Sequence, residues 1–132
     1  MKKRSVLDAY ALLAYLKEER GYARVKQLMG PEGGDLFINS VNAGEVFYVV
    51  ARTQGIRNAE DFLTVILPSL PIRIVENSLE DVIDAARIKA AHALSFADCF
   101  AAATAIRERA PLVTGDPEFK KLGKALEIDW IG

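Results

Sequence analysis

The sequence predicts a single α/β domain in which helices cover both faces of a mostly parallel sheet. Its 132 residues, 51% of them apolar, are enough for one hydrophobic core. Short apolar runs of strand length alternate along the chain with longer segments of helical periodicity. This alternation is typical of parallel strands joined by crossover helices. The sequence contains no repeat, linker or low-complexity segment, so we expect one domain over residues 1–132.

Five short apolar runs are the predicted strands. They are rich in large and β-branched apolar residues, which favour a pleated, buried sheet. Pro71 introduces the third run, which has one exposed basic position, Arg73. The predicted strands span residues 4–7, 36–38, 72–75, 112–113 and 128–131.

Seven segments outside these runs are predicted helices, because apolar residues recur in them at helical spacing or breakers bound them. Gly21 follows the first, Gly55 ends the third and Pro68 ends the fourth. The fifth has four apolar residues at core spacing, Leu79, Val82, Ile83 and Ala86. The predicted helices span residues 9–17, 22–29, 42–54, 58–67, 79–93, 95–109 and 117–124.

Two acidic residues closely follow predicted strands. Asp8 comes after the first strand, and Asp116 comes after Thr114 and Gly115 at the end of the fourth. In an open α/β sheet the segments that leave the carboxyl ends of the strands line one crevice, where ligands bind. We therefore expect both carboxylates in this crevice. Each also has a structural explanation, because both stand where a helix is predicted to begin and can act as its N-cap.

Two further acids, Glu45 and Asp98, also stand where helices are predicted to begin. Each lies three residues after a capping residue, Asn42 or Ser95, in the form of a capping box. Taken singly, capping explains any of the four acids at least as well as catalysis does. Glu45 and Asp98 lie in apolar surroundings, however, where an unpaired carboxylate is costly if it is buried.

Several carboxylates in one crevice repel one another unless a hard cation neutralises them. The sequence has a single histidine, His92, and no Cys/His spacing for zinc. The glycine-rich loop at 30–34 lacks the Lys-Ser/Thr ending of a phosphate-binding loop. With oxygen ligands alone, Mg²⁺ or Mn²⁺ is the expected metal. The sequence thus indicates a small metal-dependent enzyme that acts on a phosphate ester.

Charge and cysteine content limit the other classes. A net charge of −1 argues against binding nucleic acid through bulk electrostatics, but leaves room for a basic rim around an acidic centre. The single cysteine, Cys99, cannot form an internal disulfide, which fits a reducing cytoplasm, and we expect it to be a buried apolar residue. The apolar stretches are far shorter than the roughly 20 residues of a membrane span, so we expect no membrane association.

The order of these motifs resembles a known family. An early strand leads to Asp8, a helix carries Glu45, a late helix opens with residues 95–103 (SFADCFAAA), and a strand-acid segment follows at 112–119 (LVTGDPEF). Over nearly the whole chain this looks like a PIN-domain ribonuclease, and specifically a VapC-type toxin. The resemblance implies a three-layer α/β/α sandwich around a parallel sheet.

The resemblance also implies the site and its chemistry, which is hydrolysis of an RNA phosphodiester with Mg²⁺ or Mn²⁺. The family's acidic positions match Asp8, Glu45, Asp98 and Asp116, and its hydroxyl position matches Thr114. Asp8, Asp98 and Asp116 would hold one or two metal ions, and Glu45 would bind a metal-bound water or a second ion. Thr114 would orient Asp116 or a water. The chain departs from its relatives at Gly115 and Pro117, where they often carry a basic or polar residue and an Asn.

The partners that the resemblance implies are RNA, a second copy of the chain, and a small antitoxin. The antitoxin would place an apolar segment near the early helices, where the helix over 10–15 and the Phe47-Tyr48 region carry aromatic side chains. Aromatic residues of this kind pack in the core more often than they form a binding surface. Four basic residues are candidate phosphate contacts, although each is also explained as an ordinary solvated charge: Arg52, Lys120, Lys121 and Lys124.

Three other functions fit less well. A phospho-receiver domain needs an acid after a middle strand and a lysine after a late one, but the strand at 72–75 ends in Glu76-Asn77 and the late strand leads to Asp116. A phosphatase with an aspartyl nucleophile needs a second acid two residues after Asp8, where Tyr10 stands. A PIN-like module that binds without cutting is compatible with the fold, but all four acids are present.

Overall fold

The computed structural model describes residues 3–132, in which five parallel strands form one sheet. The strands lie in the order β3-β2-β1-β4-β5, and every neighbouring pair is parallel. Their bounds are β1 (Arg4–Leu7), β2 (Asp35–Asn39), β3 (Ile72–Val75), β4 (Leu112–Thr114) and β5 (Ile128–Trp130). The predicted parallel sheet is confirmed. Met1 and Lys2, the first residues of the predicted domain, lie outside the described residues.

Seven α-helices connect or flank these strands. A π-helical turn (Phe62–Ile66) follows the fourth helix, and a 3₁₀ segment (Pro117–Ala125) precedes β5. None of the helices in residues 3–132 has the length and apolar character needed to cross a bilayer. The bounds of the α-helices are α1 (Ala9–Leu16), α2 (Tyr22–Met29), α3 (Ser40–Gln54), α4 (Ile56–Asp61), α5 (Leu67–Ser69), α6 (Leu79–Ala91) and α7 (Phe96–Glu108).

The helices form two layers, one on each face of the sheet. Successive side chains of a strand point to opposite faces, so each face builds its own core. On one face Val6 and Leu112 pack with α6, α7 and the 3₁₀ segment. On the other, Leu7 and Val113 pack with α1 and α2, while α3 and α4 extend this layer over Ile38. The three-layer α/β/α sandwich implied by the family resemblance is confirmed.

The strand order reverses between β1 and β4. The chain builds outward from β1 through β2 to β3, and then returns to the other side of β1 with β4 and β5. In open α/β sheets the crevice for ligands lies at such a reversal, beyond the carboxyl ends of the two strands. β1 ends just before Asp8, and β4 ends at Thr114. The topology therefore brings two predicted site residues to the place where folds of this class bind ligands.

The start of α3 differs from the prediction. The N-cap is Asn39, whose side chain accepts a hydrogen bond from the backbone N–H of Asn42 at 2.8 Å. β2 runs into α3 without a loop, so the helix begins at Ser40 and Asn42 already lies within its first turn. The predicted capping box from Asn42 to Glu45 is therefore wrong. Glu45 lies in the second turn and has no capping role.

The predicted helix over 58–67 is also wrong at both ends. α4 begins at Ile56, directly after Gly55, and Pro68 lies inside α5 instead of ending a helix. The intervening π-helical turn changes the hydrogen-bond register, so Pro68 falls in the first turn of α5. The backbone angles of Ile66 and Leu67 are already helical, so the π-helical turn and α5 are continuous, and the helix ends one residue after Pro68, at Ser69.

The core face of α6 is narrower than its apolar spacing predicts. Leu79 is 76% exposed, and Ile83 is also exposed. Ala85 is the buried residue of this helix, and Val82 and Ile88 pack against the same core. The inward strip thus follows a spacing of three residues. The prediction that Leu79 and Ile83 pack inward was wrong because not every apolar residue on an amphipathic helix reaches the core.

The small residues of α7 let it lie close to its neighbours. Cys99, Ala101, Ala102, Ala103 and Ala105 are all buried in the core beneath α6 and the sheet, and Cys99 is a free, buried thiol as predicted. Small side chains on a central helix permit this close approach. Because these alanines face the protomer's own core, they do not support the predicted homodimer, which stays a prediction.

Candidate active site

Asp8 lies at the end of β1 and caps α1. Its side chain accepts a hydrogen bond from the backbone N–H of Ala11 at 2.9 Å, and a second from the hydroxyl of Thr114. Asp8 is only 3% exposed. Burial raises the pKa of this carboxyl to about 7, although both hydrogen bonds oppose the rise. Asp8 is thus both a cap, as predicted, and a buried acid with an unusual proton affinity.

Thr114, the last residue of β4, joins Asp8 to the loop that carries Asp116. Its buried hydroxyl donates to Asp8 Oδ2 and accepts from the backbone N–H of Asp116 at 3.1 Å. The resemblance implied that Thr114 orients Asp116 or a water. In the structure its hydrogen-bonding proton goes to Asp8, and its contact with Asp116 is with the backbone. Thr114 therefore fixes the position of Asp8 and the path of the chain into Asp116.

Asp116 is the N-cap of the 3₁₀ segment. Its Oδ1 accepts from the backbone N–H of Glu118 at 2.9 Å, and Pro117 follows at the first helical position, as predicted. Gly115 explains one departure from the family. A Cβ at this position would lie 2.3 Å from the ring of Tyr10, so glycine allows α1 and the Asp116 loop to approach closely.

Asp98 is the third residue of α7, where its backbone N–H donates to the hydroxyl of the N-cap Ser95 at 3.1 Å. Its pKa is raised to about 6, first by burial and then by the charge of Asp116, with a further rise from Glu45. The start of a helix favours an acid at this position. The raised pKa shows that burial and neighbouring acids outweigh that help.

Glu45 enters the site from α3. Burial raises the pKa of its carboxyl, and the charge of Asp116 adds to the rise. Its Oε1 accepts a hydrogen bond from Asn42 Nδ2 at 3.3 Å, which opposes the rise. Glu45 therefore reaches the same group of acids as Asp98 and Asp116, although it is not at a helix start.

Asn42 is a positioning residue that the sequence analysis read only as a helix cap. It is 1% exposed, and its Nδ2 also donates to the carbonyl of Ala97 at 3.1 Å. Its Oδ1 accepts from Asn39 Nδ2 at 2.8 Å. Asn42 thus holds Glu45 while it ties α3 to the residue before Asp98. The signal in the sequence was the spacing of three residues to Glu45, which suits a side-chain pair within a helix as well as a cap.

The structure brings the four predicted acids into one electrostatic group. Besides burial, the charges of Asp98 and Glu45 raise the pKa of Asp8. The charge of Asp116 likewise adds to the rise in the pKa values of Glu45 and Asp98. The salt bridges of residues 3–132 involve other acids, so no Lys or Arg neutralises this group. A cation would relieve the repulsion and the burial of the charges.

The donor set fits a hard divalent cation, because carboxylate and hydroxyl oxygens are the ligands that Mg²⁺ and Mn²⁺ prefer. In the described part of the chain, no three His, Cys, Asp or Glu side chains converge on one ion-sized position. The fit therefore depends on donor chemistry and charge, and not on a preformed coordination shell.

The predicted phosphate contacts differ in their surroundings. Lys121 Nζ donates to the carbonyl of Ala93 at 2.9 Å and pairs with Glu118. Lys120 Nζ lies 5.6 Å from the centre of the Trp130 ring. Arg52 is exposed in the last turn of α3, about 10 Å along the helix from Glu45, and Lys124 is an exposed residue of the 3₁₀ segment. Of the four, Lys120 and Lys121 have defined partners close to the Asp116 loop.

A family model for the PIN domain matches residues 5–125, which is most of the chain. The chain belongs to the PIN domain family. Its fold is shared by VapBC2 of Rickettsia felis bound to a promoter DNA fragment, with a TM-score of 0.74, 20% identity, and 96% of this chain and 97% of that chain covered. No curated protein matches the sequence significantly.

Two further solved structures share the fold of this PIN domain. DNA-bound VapBC of Salmonella typhimurium gives a TM-score of 0.76 at 15% identity and covers both chains completely. VapC20 of Mycobacterium tuberculosis, a toxin that cleaves the sarcin-ricin loop, gives a TM-score of 0.74 at 15% identity over 90% of this chain and 95% of that chain. At these identities the structures establish the likeness of fold.

Asp8→Asn is expected to remove much of the pH dependence of stability in metal-free buffer. Since the pKa of Asp8 rises from 3.8 to about 7, the folded state keeps a proton that the unfolded state has lost at intermediate pH. The Asp8 contribution to the free energy of unfolding should therefore fall from about pH 4 to about pH 7 and then level off. Urea unfolding of wild type and variant across this range measures the difference.

The matched control for this experiment is Asp61→Asn, which changes an exposed acid on α4. It should leave the wild-type pH dependence unchanged. The free energy of unfolding of Asp8→Asn relative to that of wild type should increase between about pH 4 and about pH 7. If it does not, the buried carboxylate does not titrate as inferred.

Thr114→Val is expected to destabilise the fold by about 1–3 kcal/mol, because it leaves a buried oxygen of Asp8 without its donor. It should also raise the pKa of Asp8 further, since the Thr114 hydrogen bond lowers that pKa. Thr114→Ser keeps the hydroxyl and should retain most of the stability and the original pH midpoint. A negligible loss of stability in Thr114→Val, or a larger loss in Thr114→Ser than in Thr114→Val, would mean that the methyl group matters more than the hydrogen bond.

Proposed function

We propose that this PIN domain is a ribonuclease that hydrolyses RNA phosphodiester bonds with Mg²⁺ or Mn²⁺. The observation that supports this most is the group of four acids at the strand reversal, with no Lys or Arg of residues 3–132 paired to them. An anionic site of this kind repels a phosphodiester unless a cation lies between them. The likeness to VapC20, which cleaves the sarcin-ricin loop, agrees with the proposal at the level of the fold.

Each acid has a proposed role in this mechanism. Asp8, Asp98 and Asp116 would hold the metal, and Glu45 would bind a water or a second ion beside it. The bound metal would lower the pKa of a water and neutralise charge on the phosphate. Thr114 keeps Asp8 in place through its hydrogen bond. Asn42 bonds Glu45 at Oε1, which leaves Oε2 available to accept a hydrogen bond from a water.

The competing functions are less compatible with this geometry. A receiver domain needs its second acid close to the first, but Glu76 follows β3, an edge strand two positions from β1. Tyr10 is part of α1 and replaces the second acid of an aspartyl phosphatase. A module that binds without cutting does not account for a group of acids whose pKa values are raised by burial and by their mutual repulsion.

The test of the ribonuclease proposal is cleavage of RNA by the purified chain. We expect chelation to abolish cleavage and Mg²⁺ or Mn²⁺ to restore it. Asp98→Asn and Asp116→Asn should each reduce kcat/KM by on the order of a hundredfold or more while the protein stays folded, because each removes a charged ligand but keeps the shape. Asp61→Asn, the exposed control, should retain wild-type activity. Full activity in excess chelator would overturn the metal mechanism.

We also propose that a small antitoxin silences this activity, so that the chain is the toxin of a type II pair. The core formed by α1, α3 and α4 leaves several apolar side chains exposed around it, including Tyr10, Tyr48, Leu63 and Val65. Phe47 instead packs against the core, so only part of the predicted aromatic surface is available. The VapBC neighbours are complexes of this kind, which supports such a partner. The homodimer also remains a proposal.

The test of the antitoxin surface compares two exposed leucines in opposite layers. Leu63→Glu should weaken the complex with the cognate small protein, because it places a charge on the proposed apolar surface. Leu79→Glu, on α6, should leave the complex intact. Size-exclusion chromatography after co-expression measures both. If the cognate protein neither binds the wild type nor protects cells, a housekeeping PIN nuclease is the better description.

A further inference from the structure

A recess of about 510 Å³ lies directly beside the Asp116 loop. Gly115 and Pro117 line it on the side of the acids, and Lys120 and Trp130 line it on the other. Trp130 is in register with Thr114, because β5 pairs with β4. Neighbouring strands lie about 4.8 Å apart, so the tryptophan is one strand away from the residue that holds Asp8.

The indole of Trp130 is open to solvent. It is 44% exposed on an edge strand, and it is the only tryptophan of the chain. Single exposed apolar residues are common on protein surfaces, so the feature that distinguishes Trp130 is its position beside the Asp116 loop.

The ammonium of Lys120 completes the recess. It lies over the indole, 5.6 Å from the ring centre, and forms no salt bridge with the described residues. Its neighbour Lys121 is already bonded to Ala93 and paired with Glu118. Lys120 is thus the lysine of this segment whose charge is available next to an aromatic surface.

We propose that this recess is a subsite for single-stranded RNA, in which a base stacks on Trp130 and Lys120 binds the adjoining phosphate. The inference rests on the proposed ribonuclease function and names how that site holds its substrate. Proteins that bind single strands commonly combine aromatic rings for the bases with lysines along the backbone. The four lining residues named above offer few groups to read a base edge, so the subsite would tolerate different bases.

The single tryptophan makes the proposal directly measurable. Wild-type protein in excess chelator, which prevents metal-dependent cleavage, is titrated with a short single-stranded oligoribonucleotide while tryptophan fluorescence is recorded. Stacking on Trp130 should quench the emission. An oligomer of equal length and charge but without bases should bind more weakly and quench little. Equal quenching by the two oligomers, or none by either, would overturn the proposal.

Substitutions separate stacking from charge. Trp130→Ala should weaken binding of a labelled oligoribonucleotide by about tenfold or more, whereas Trp130→Phe, which keeps an aromatic face, should retain most of the affinity. Lys120→Ala should lower the slope of log affinity against log salt by about 0.7, as expected for one lost phosphate contact. Lys26→Ala, which removes an exposed lysine that lies over the Tyr22 ring but outside the recess, is the control and should leave the slope unchanged.

Cleavage assays distinguish failure of the subsite from failure of the proposed function. With Mg²⁺, Trp130→Ala should raise KM more than it lowers kcat. Cleavage with an unchanged KM in this variant would overturn the subsite and leave the ribonuclease function standing. Base-dependent quenching and Trp130-dependent binding without any cleavage by the wild type would support the subsite and overturn the ribonuclease function.

Discussion

The hydrogen bond between Thr114 and Asp8 joins the two strands on which the site depends. It spans the point where the strand order reverses, since β1 ends beside Asp8 and β4 ends at Thr114. A carboxylate buried at this position is costly, and the N-terminus of α1 and the Thr114 hydroxyl offset only part of the cost. The remaining cost appears as a pKa near 7, and any cation that binds there would lower it. The conflict between charge and burial is therefore part of the fold.

The other acids come to the site from three separate elements, so the spacing of the carboxylates depends on how those elements pack. Asn42 is the connection between two of them, because it bonds both Glu45 of α3 and the carbonyl before Asp98 of α7. The buried alanines of α7 let this helix lie close enough for the bond to form. Packing of the core thus controls the distance between carboxylates that repel one another, and a change in that packing would alter their pKa values as well as the stability.

Local signals in the sequence predicted most of this arrangement, and long-range packing accounts for what they missed. The caps Asp8, Ser95 and Asp116 were predictable because capping involves a few neighbouring residues. Asn39 and Asn42 compete for one helix start, and only the direct entry of β2 into α3 decides between them. The exposure of Leu79 depends on where α6 meets α7, which no local pattern records. Trp130 was overlooked because its importance comes from its register with Thr114 across the sheet.

RNA bound as proposed would have to be held by something other than bulk charge, because the net charge of the chain is −1 and the candidate site is acidic. The ammonium of Lys121 donates to the carbonyl of Ala93 and pairs with Glu118, so its positive charge near the Asp116 loop already has a partner. Stacking of a base on an aromatic ring contributes affinity without further positive charge, and this contribution does not depend on the repulsion between acids and phosphates. A substrate held chiefly by stacking would show a weaker dependence on salt than one held by many lysines. In the proposed ribonuclease the acids and the Trp130 recess would have separate roles: the acids would hold a cation at the reacting phosphate, and the recess would determine which phosphate lies there.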